Sequence, residues 1–153
     1  MWAAVLLRLI FPLIIFKYPF GGAVAVIAFD LLDMDLIKRF NGNLDNYQTL
    51  DKTLDTYYLA IEAIIVLTWK NKLVKKIALG LFIYRLLGFS IFLFTQNLLF
   101  LVIFPNVFEY FYLIYLGIQK IFKKDLKSKK ALAVILIILI MVKVTHEYWL
   151  HFY

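Results

Sequence analysis

Apolar residues in this chain come in six long runs, and the polar breaks between them are short. A helix crossing a hydrocarbon core about 30 Å thick needs about 20 mostly apolar residues. The runs predict six such helices: Trp2–Tyr18, Gly21–Ile37, Asp51–Trp69, Ile77–Thr95, Leu98–Ile118 and Ala131–Leu150. They are continuous rather than alternating, which excludes the strands of an outer-membrane barrel. A water-soluble domain is excluded by quantity, because 64% of 153 residues are apolar and 18% are charged. That is more apolar surface than a chain of this size can hide. Disorder demands few aromatics, and 18% of these residues are aromatic. The predicted fold is all-α: a polytopic, multi-pass cell-membrane protein with six transmembrane helices, in a single domain over 1–153.

The breaks carry their own signals. Tyr18-Pro19-Phe20-Gly21-Gly22 reads as a tight turn, since proline removes a donor and paired glycines admit unusual backbone angles. Asn41-Gly42-Asn43 separates the second and third helices, Asn71 follows the third, and Gln96-Asn97 joins the fourth to the fifth. Arg8 interrupts the first run and no small-residue cleavage site follows, so that run reads as a span rather than a signal peptide.

The absence of cysteine excludes disulfides and thiolate metal sites. The two histidines, His146 and His151, are too few and too close to the C-terminus for a multi-histidine centre. Carboxylates are the chemical signal. Six of seven aspartates fall between positions 30 and 55: Asp30, Asp33, Asp35, Asp45, Asp51 and Asp55. Asp30 and Asp33 are spaced i, i+3 near the end of the second helix, and Asp51 and Asp55 are spaced i, i+4 at the start of the third. Each pair shares one helix face. A short connection makes the two helix ends neighbours, so four carboxylates converge at one membrane boundary. Bare, they repel and lose hydration. Divalent cations relieve both penalties, and all-oxygen ligation suits Mg²⁺ or Mn²⁺. The plainer alternative is that Asp51 caps the third helix and that Asp35 and Asp45 solvate a loop. Asp30 resists it, because it lies inside the apolar run Ala23–Leu32.

Asp30-Leu-Leu-Asp33 followed by Asp51-Lys-Thr-Leu-Asp55 resembles the signature of the CDP-alcohol phosphatidyltransferases, D-x2-D-G-x2-A-R-x8-G-x3-D-x3-D, with all four aspartates in register. Arg8-Leu-Ile-Phe-Pro12 is similar to the R-x3-P of that family's first span. The departures are Met34 and Tyr47 for the two glycines, Ile37 for alanine and Lys38 for arginine. The metal-binding half of the signature is intact, and the nucleotide-binding half is eroded. The resemblance implies six spans, two divalent ions held by Asp30, Asp33, Asp51 and Asp55, and Asp55 as base toward an acceptor alcohol. It implies transfer of a substituted phosphate from a CDP-linked or other lipid-linked donor with release of CMP, as in phospholipid biosynthesis. It also implies a homodimer. Lys38, Arg8 and Arg85 are the cations available to meet phosphate.

Remaining polar residues have structural readings beside functional ones. Glu62 shares the Asp55 face and either points toward the site or forms an interhelical hydrogen bond. Arg85 and Glu109 either pair with each other or leave Arg85 for a phosphate. His146, Glu147 and His151 read as interfacial residues beside Tyr148 and Trp149. Phe108–Tyr115 reads as lipid contact and helix packing, and Gly80, Gly88 and Gly117 as sites of close helix approach.

Lysine is distributed unevenly. Lys70, Lys72, Lys75 and Lys76 follow the third helix, and Lys120, Lys123, Lys124, Lys127, Lys129 and Lys130 follow the fifth, on the side opposite the aspartates. Positive charge favours the cytoplasm, which puts the aspartates outside. The resemblance puts them on the cytoplasmic side, where CDP-linked donors are made. These lysines read as orientation signals touching anionic lipid, not as a nucleic-acid surface. Three functions stay open: a divergent phosphatidyltransferase-like enzyme, an inactive membrane scaffold or partner subunit of the same shape, and a cation transporter. Neither a broken helix nor an inverted repeat is visible to support the third.

Overall fold

The computed structural model describes the backbone at residues 2–39 and 47–152, and the side chains there apart from 2–4, 31, 33–39, 47–48, 147 and 150–152. Among the described residues every regular element is helical. In chain order these are α1 (Trp2–Ile10), a 3-10 segment (Phe11–Phe16), α2 (Pro19–Arg39), α3 (Tyr47–Leu67), α4 (Lys72–Thr95), α5 (Leu99–Ile103), α6 (Val107–Phe122) and α7 (Lys129–Phe152). Two stretches are long and apolar enough to cross a membrane, Lys72–Thr95 and Leu99–Phe122, and Val5–Phe16 and Pro19–Asp30 are shorter apolar helices. The chain divides into two compact units, Met1–Ile65 and Val66–Tyr153.

In the first unit, α1 gives way to the 3-10 segment where Pro12 enters. A proline lacks the N–H that bonds the carbonyl four residues back, and its ring crowds that carbonyl. Here that carbonyl belongs to Arg8, so the helix tightens one turn beyond the arginine. The 3-10 segment packs on α2, with Phe11 and Phe29 rings 5.4 Å apart. The paired glycines do not form the expected turn. Pro19 opens α2, as its fixed φ favours, both glycines lie in its first turn, and no described glycine has positive φ. Gly22 is small for another reason: a Cβ there would lie 2.8 Å from Ile15 Cα and 2.9 Å from Ile15 N. α3 begins at Tyr47, so Asp51 lies inside the helix and does not cap it.

In the second unit, α4 packs against α5 and α6, and both of those against α7. The expected continuous fifth helix is broken at Phe104-Pro105-Asn106. Backbone groups freed inside an apolar stretch must find partners, and here they do. Arg85 Nη1 donates to the carbonyls of Phe104 (2.8 Å) and Leu101 (3.3 Å), and the Tyr84 hydroxyl donates to that of Ile103 (2.7 Å). On the other side of the break, Asn106 caps α6: its Oδ1 accepts from Glu109 N (3.4 Å) and its Nδ2 donates to Glu109 Oε2 (2.7 Å). Arg85 therefore serves backbone carbonyls and does not pair with Glu109. Gly88 permits the packing, since a Cβ there would meet Phe104 Cβ at 2.2 Å, whereas nothing lies within 4 Å of one at Gly80. Of the aromatic stretch, Phe108, Phe111, Tyr112 and Tyr115 are buried in helix packing and do not face lipid. Trp69 sits against Tyr112 and Tyr115.

At one end of this unit the turn after α3 meets the loop before α7. Asn71 caps α4, accepting from Val74 N (3.3 Å), and its Nδ2 donates to Asp125 Oδ1 (3.1 Å) and Leu126 O (3.0 Å). The Tyr115 hydroxyl donates to the same Asp125 oxygen (2.9 Å).

Two outcomes follow. Alanine at Gly22 or Gly88 lowers the unfolding temperature in detergent, by the equivalent of about 1–3 kcal/mol. Alanine at Gly80 is neutral or raises it, because helical alanine outranks glycine by about 1 kcal/mol. The second concerns pH. The Asn71 amide, helped by the Tyr115 hydroxyl, holds the Asp125 carboxyl below its usual 3.8. A depressed folded value means that the clamp is at full strength above pH 3.8 and is lost as pH falls through the lower folded value. The Asn71 side-chain amide resonance should stay fixed from neutral pH down to that point and move only below it.

Candidate metal centre

The first unit brings three of the predicted aspartates to one place. Asp30 comes from α2, and Asp51 and Asp55 from successive turns of α3. One ligand oxygen from each lies within 4.8 Å of the other two. The spacing works because i, i+4 on α3 stacks two carboxylates on one face, and both lie near the Asp30 carboxylate of α2. Asp33 and Lys38 lie outside the described side chains, as do Met34, Asp35, Ile37 and Tyr47. Asp45 lies outside the described residues altogether.

Arg8 stands in the middle of the three. Its Nη1 meets Asp51 Oδ1 at 2.6 Å, and its Nη2 meets Asp55 Oδ1 at 2.8 Å and forms an ion pair with Asp30 Oδ1. Lys52 closes the outer side, with Nζ 3.0 Å from Asp51 Oδ2 and 3.1 Å from Asp55 Oδ2. The Arg8 side chain is 6% exposed, Asp51 8% and Asp55 14%, whereas Asp30 at 26% and Lys52 at 24% reach further toward the surface. Phe11, Pro12, Val26, Phe29, Leu54 and Tyr58 line a small apolar void of about 10 Å³ against Arg8 and Asp30. The Tyr57 hydroxyl donates to Leu9 O (3.1 Å), a further tie between α1 and α3.

The donor set fits a hard divalent cation: three carboxylates within bridging distance and no nitrogen or sulfur ligand among them. It fits on one condition. Arg8 and Lys52 hold the oxygens that a cation would take, so those two side chains must yield part of their contacts to it. Glu62 is fully buried two turns further along α3 and is not one of the three clustered carboxylates. Arg85 is engaged at the α5–α6 break.

The sequence reading placed Arg8 with the phosphate-binding cations and did not anticipate that it binds the aspartates. The available signal was Arg8 itself, a permanent charge in a 17-residue apolar run facing a surplus of acid elsewhere. Lys52 carried a further signal, since it stands one residue after Asp51 and three before Asp55. No family model, curated protein or solved structure matches the chain.

Replacing Arg8 by Met leaves one buried and two half-buried carboxylates without their main counter-charge. Losing one partner of a buried ion pair typically costs about 3–5 kcal/mol. Arg8→Met should therefore unfold at markedly lower temperature in chelator. Millimolar Mg²⁺ or Mn²⁺ should restore more stability to the variant than it adds to the parent protein.

Proposed function

We propose that this chain is a membrane-embedded, metal-dependent transferase of substituted phosphate groups, a divergent relative of the CDP-alcohol phosphatidyltransferases with six spans. The observation that supports this most is the meeting of Asp30, Asp51 and Asp55 within 4.8 Å, drawn from two helices whose aspartate spacing suits that chemistry. Exposed apolar side chains along the helices, among them Leu32, Phe94, Ile137 and Met141, support lipid around the protein.

On this reading Asp30, Asp51 and Asp55, with Asp33 one turn from Asp30, hold Mg²⁺ or Mn²⁺. The bound ions supply charge neutralisation for the phosphate oxygens and the leaving phosphate. Asp55 orients the acceptor hydroxyl and takes its proton as the new P–O bond forms and the bond to CMP breaks. Proximity matters here more than basicity. Arg8 and Lys52, loosened from the aspartates, turn their donors to the phosphate oxygens. Arg8 does so with the forked geometry that suits phosphate.

The α5–α6 break favours a second reading, since discontinuous helices line ion paths in transporters. Its carbonyls, however, are taken by Arg85 and Tyr84, and a guanidinium at that point repels a cation. The transferase reading is therefore preferred.

Purified protein in lipid vesicles, supplied with Mn²⁺, a CDP-linked lipid and an alcohol acceptor, should release CMP. Asp55→Asn should abolish release, by about a hundredfold or more on the scale of lost acid–base catalysis, while the circular dichroism spectrum stays unchanged. Equal turnover in parent and variant overturns the role of Asp55. Failure of the parent protein to bind Mn²⁺, read by electron paramagnetic resonance, overturns the metal centre itself.

A further inference from the structure

The lysine-rich segments after α3 and α6 are far apart in sequence but form one surface. Asn71 reaches from the first to Asp125 and Leu126 of the second, at 3.1 and 3.0 Å. Tyr115 and Gln119 hold the same point from below, the tyrosine hydroxyl donating to Asp125 and accepting from the glutamine amide. Lys123 ends α6 in the left-handed conformation, with φ of 50°, and so turns the chain toward that point. The joined loops expose Lys70, Lys72 and Lys76 from one segment, and Lys123, Lys124, Lys127, Lys129 and Lys130 from the other. Lys75 is partly drawn in, donating to Leu67 O. The only carboxylate in either segment is Asp125, and its Oδ1 is occupied by Asn71 and Tyr115. Beside the lysines, Ile121 and Phe122 are 68% and 66% exposed.

We infer that this clamped surface binds the anionic headgroup layer of a membrane leaflet. Three features select that partner. The charge is dense and of one sign. The lysines are flexible point charges on apolar stems, suited to a fluid array of phosphates rather than to one fixed ligand. Two bare apolar side chains stand at the level of the charges, as they do where a protein meets both headgroup and acyl chain. The clamp adds what a mere count of lysines lacks. It holds the two segments side by side, so that both meet the same patch of lipid. The surface belongs wholly to the second unit and is independent of the aspartates.

Native mass spectrometry of the full chain, in chelator and with equal phosphatidylglycerol and phosphatidylcholine, tests this directly. Phosphatidylglycerol should be retained preferentially, and less so as salt rises. Each lysine near an anionic surface contributes about fivefold, so the triple variant Lys123→Gln, Lys124→Gln, Lys127→Gln should lose at least about tenfold of that preference. Asn71→Ser keeps the helix cap and the net charge but removes the donor to Asp125. It should lower the preference severalfold. Equal retention of the two lipids overturns the inference, as does a preference unmoved by the triple variant. An unchanged preference in Asn71→Ser overturns the clamp. Displacement of the lipid by millimolar inorganic phosphate assigns the surface to free phosphate instead, which also overturns the proposal.

Discussion

The packing of the first unit depends on one guanidinium. Three carboxylates within 4.8 Å cannot share a poorly hydrated place unless cations are among them. Arg8 touches all three, and it alone links α1 to both α2 and α3 through charge. Apolar side chains give helices in lipid little preference for one another, because lipid is as apolar as they are. A buried ionic knot has no such substitute and therefore fixes which faces meet. Pro12 contributes by ending the α-helix one turn past Arg8. The following 3-10 segment then lies close enough to α2 that only glycine fits at position 22.

The second unit solves a different version of the same problem. Its charge is not gathered for a ligand but used to repair a broken backbone. Arg85 of α4, which reaches the last carbonyls of α5, and Glu109 in the first turn of α6 each stand where the helix dipole favours their sign. Asn106 joins the acid to the helix end. A buried arginine and a buried glutamate in apolar helices look like a pair to be matched, yet the structure gives the arginine to the carbonyls of Leu101 and Phe104. The Tyr84 hydroxyl serves the neighbouring carbonyl of Ile103 in the same way.

This explains which parts were legible. Helices and their approximate limits follow from apolar run length, and the convergence of Asp30, Asp51 and Asp55 follows from helical spacing and a short connection. The missed features are those in which a proline acts on backbone hydrogen bonding rather than on hydropathy. Pro12 changes the helix type and Pro105 breaks a helix, and neither alters the apolar run around it. A signal for the second was present: Asn106 followed three residues later by Glu109 is a helix-start pattern, but it sits inside an uninterrupted apolar stretch. Gly21-Gly22 misled in the opposite direction. Glycine serves close approach as well as unusual φ, and the sequence does not distinguish the two uses. The joining of the two lysine segments was illegible because it depends on a single side-chain amide, that of Asn71.

The charge at the aspartates also restricts what the site can do. Among the described side chains, three carboxylates face two cations, Arg8 and Lys52, which leaves one net negative charge. With Asp33, the fourth carboxylate of the proposed set, one divalent ion brings the charge to zero, and a second ion leaves the site short of an anion. A phosphodiester restores the balance. On the proposed reading, metal and anionic substrate each make the other easier to bury, and such coupling is necessarily mutual. A site meant to pass a cation needs its acids free to take up that cation and hand it on. Two permanent positive charges among the acids work against that. Their presence favours a centre that closes around an ion and a phosphate together.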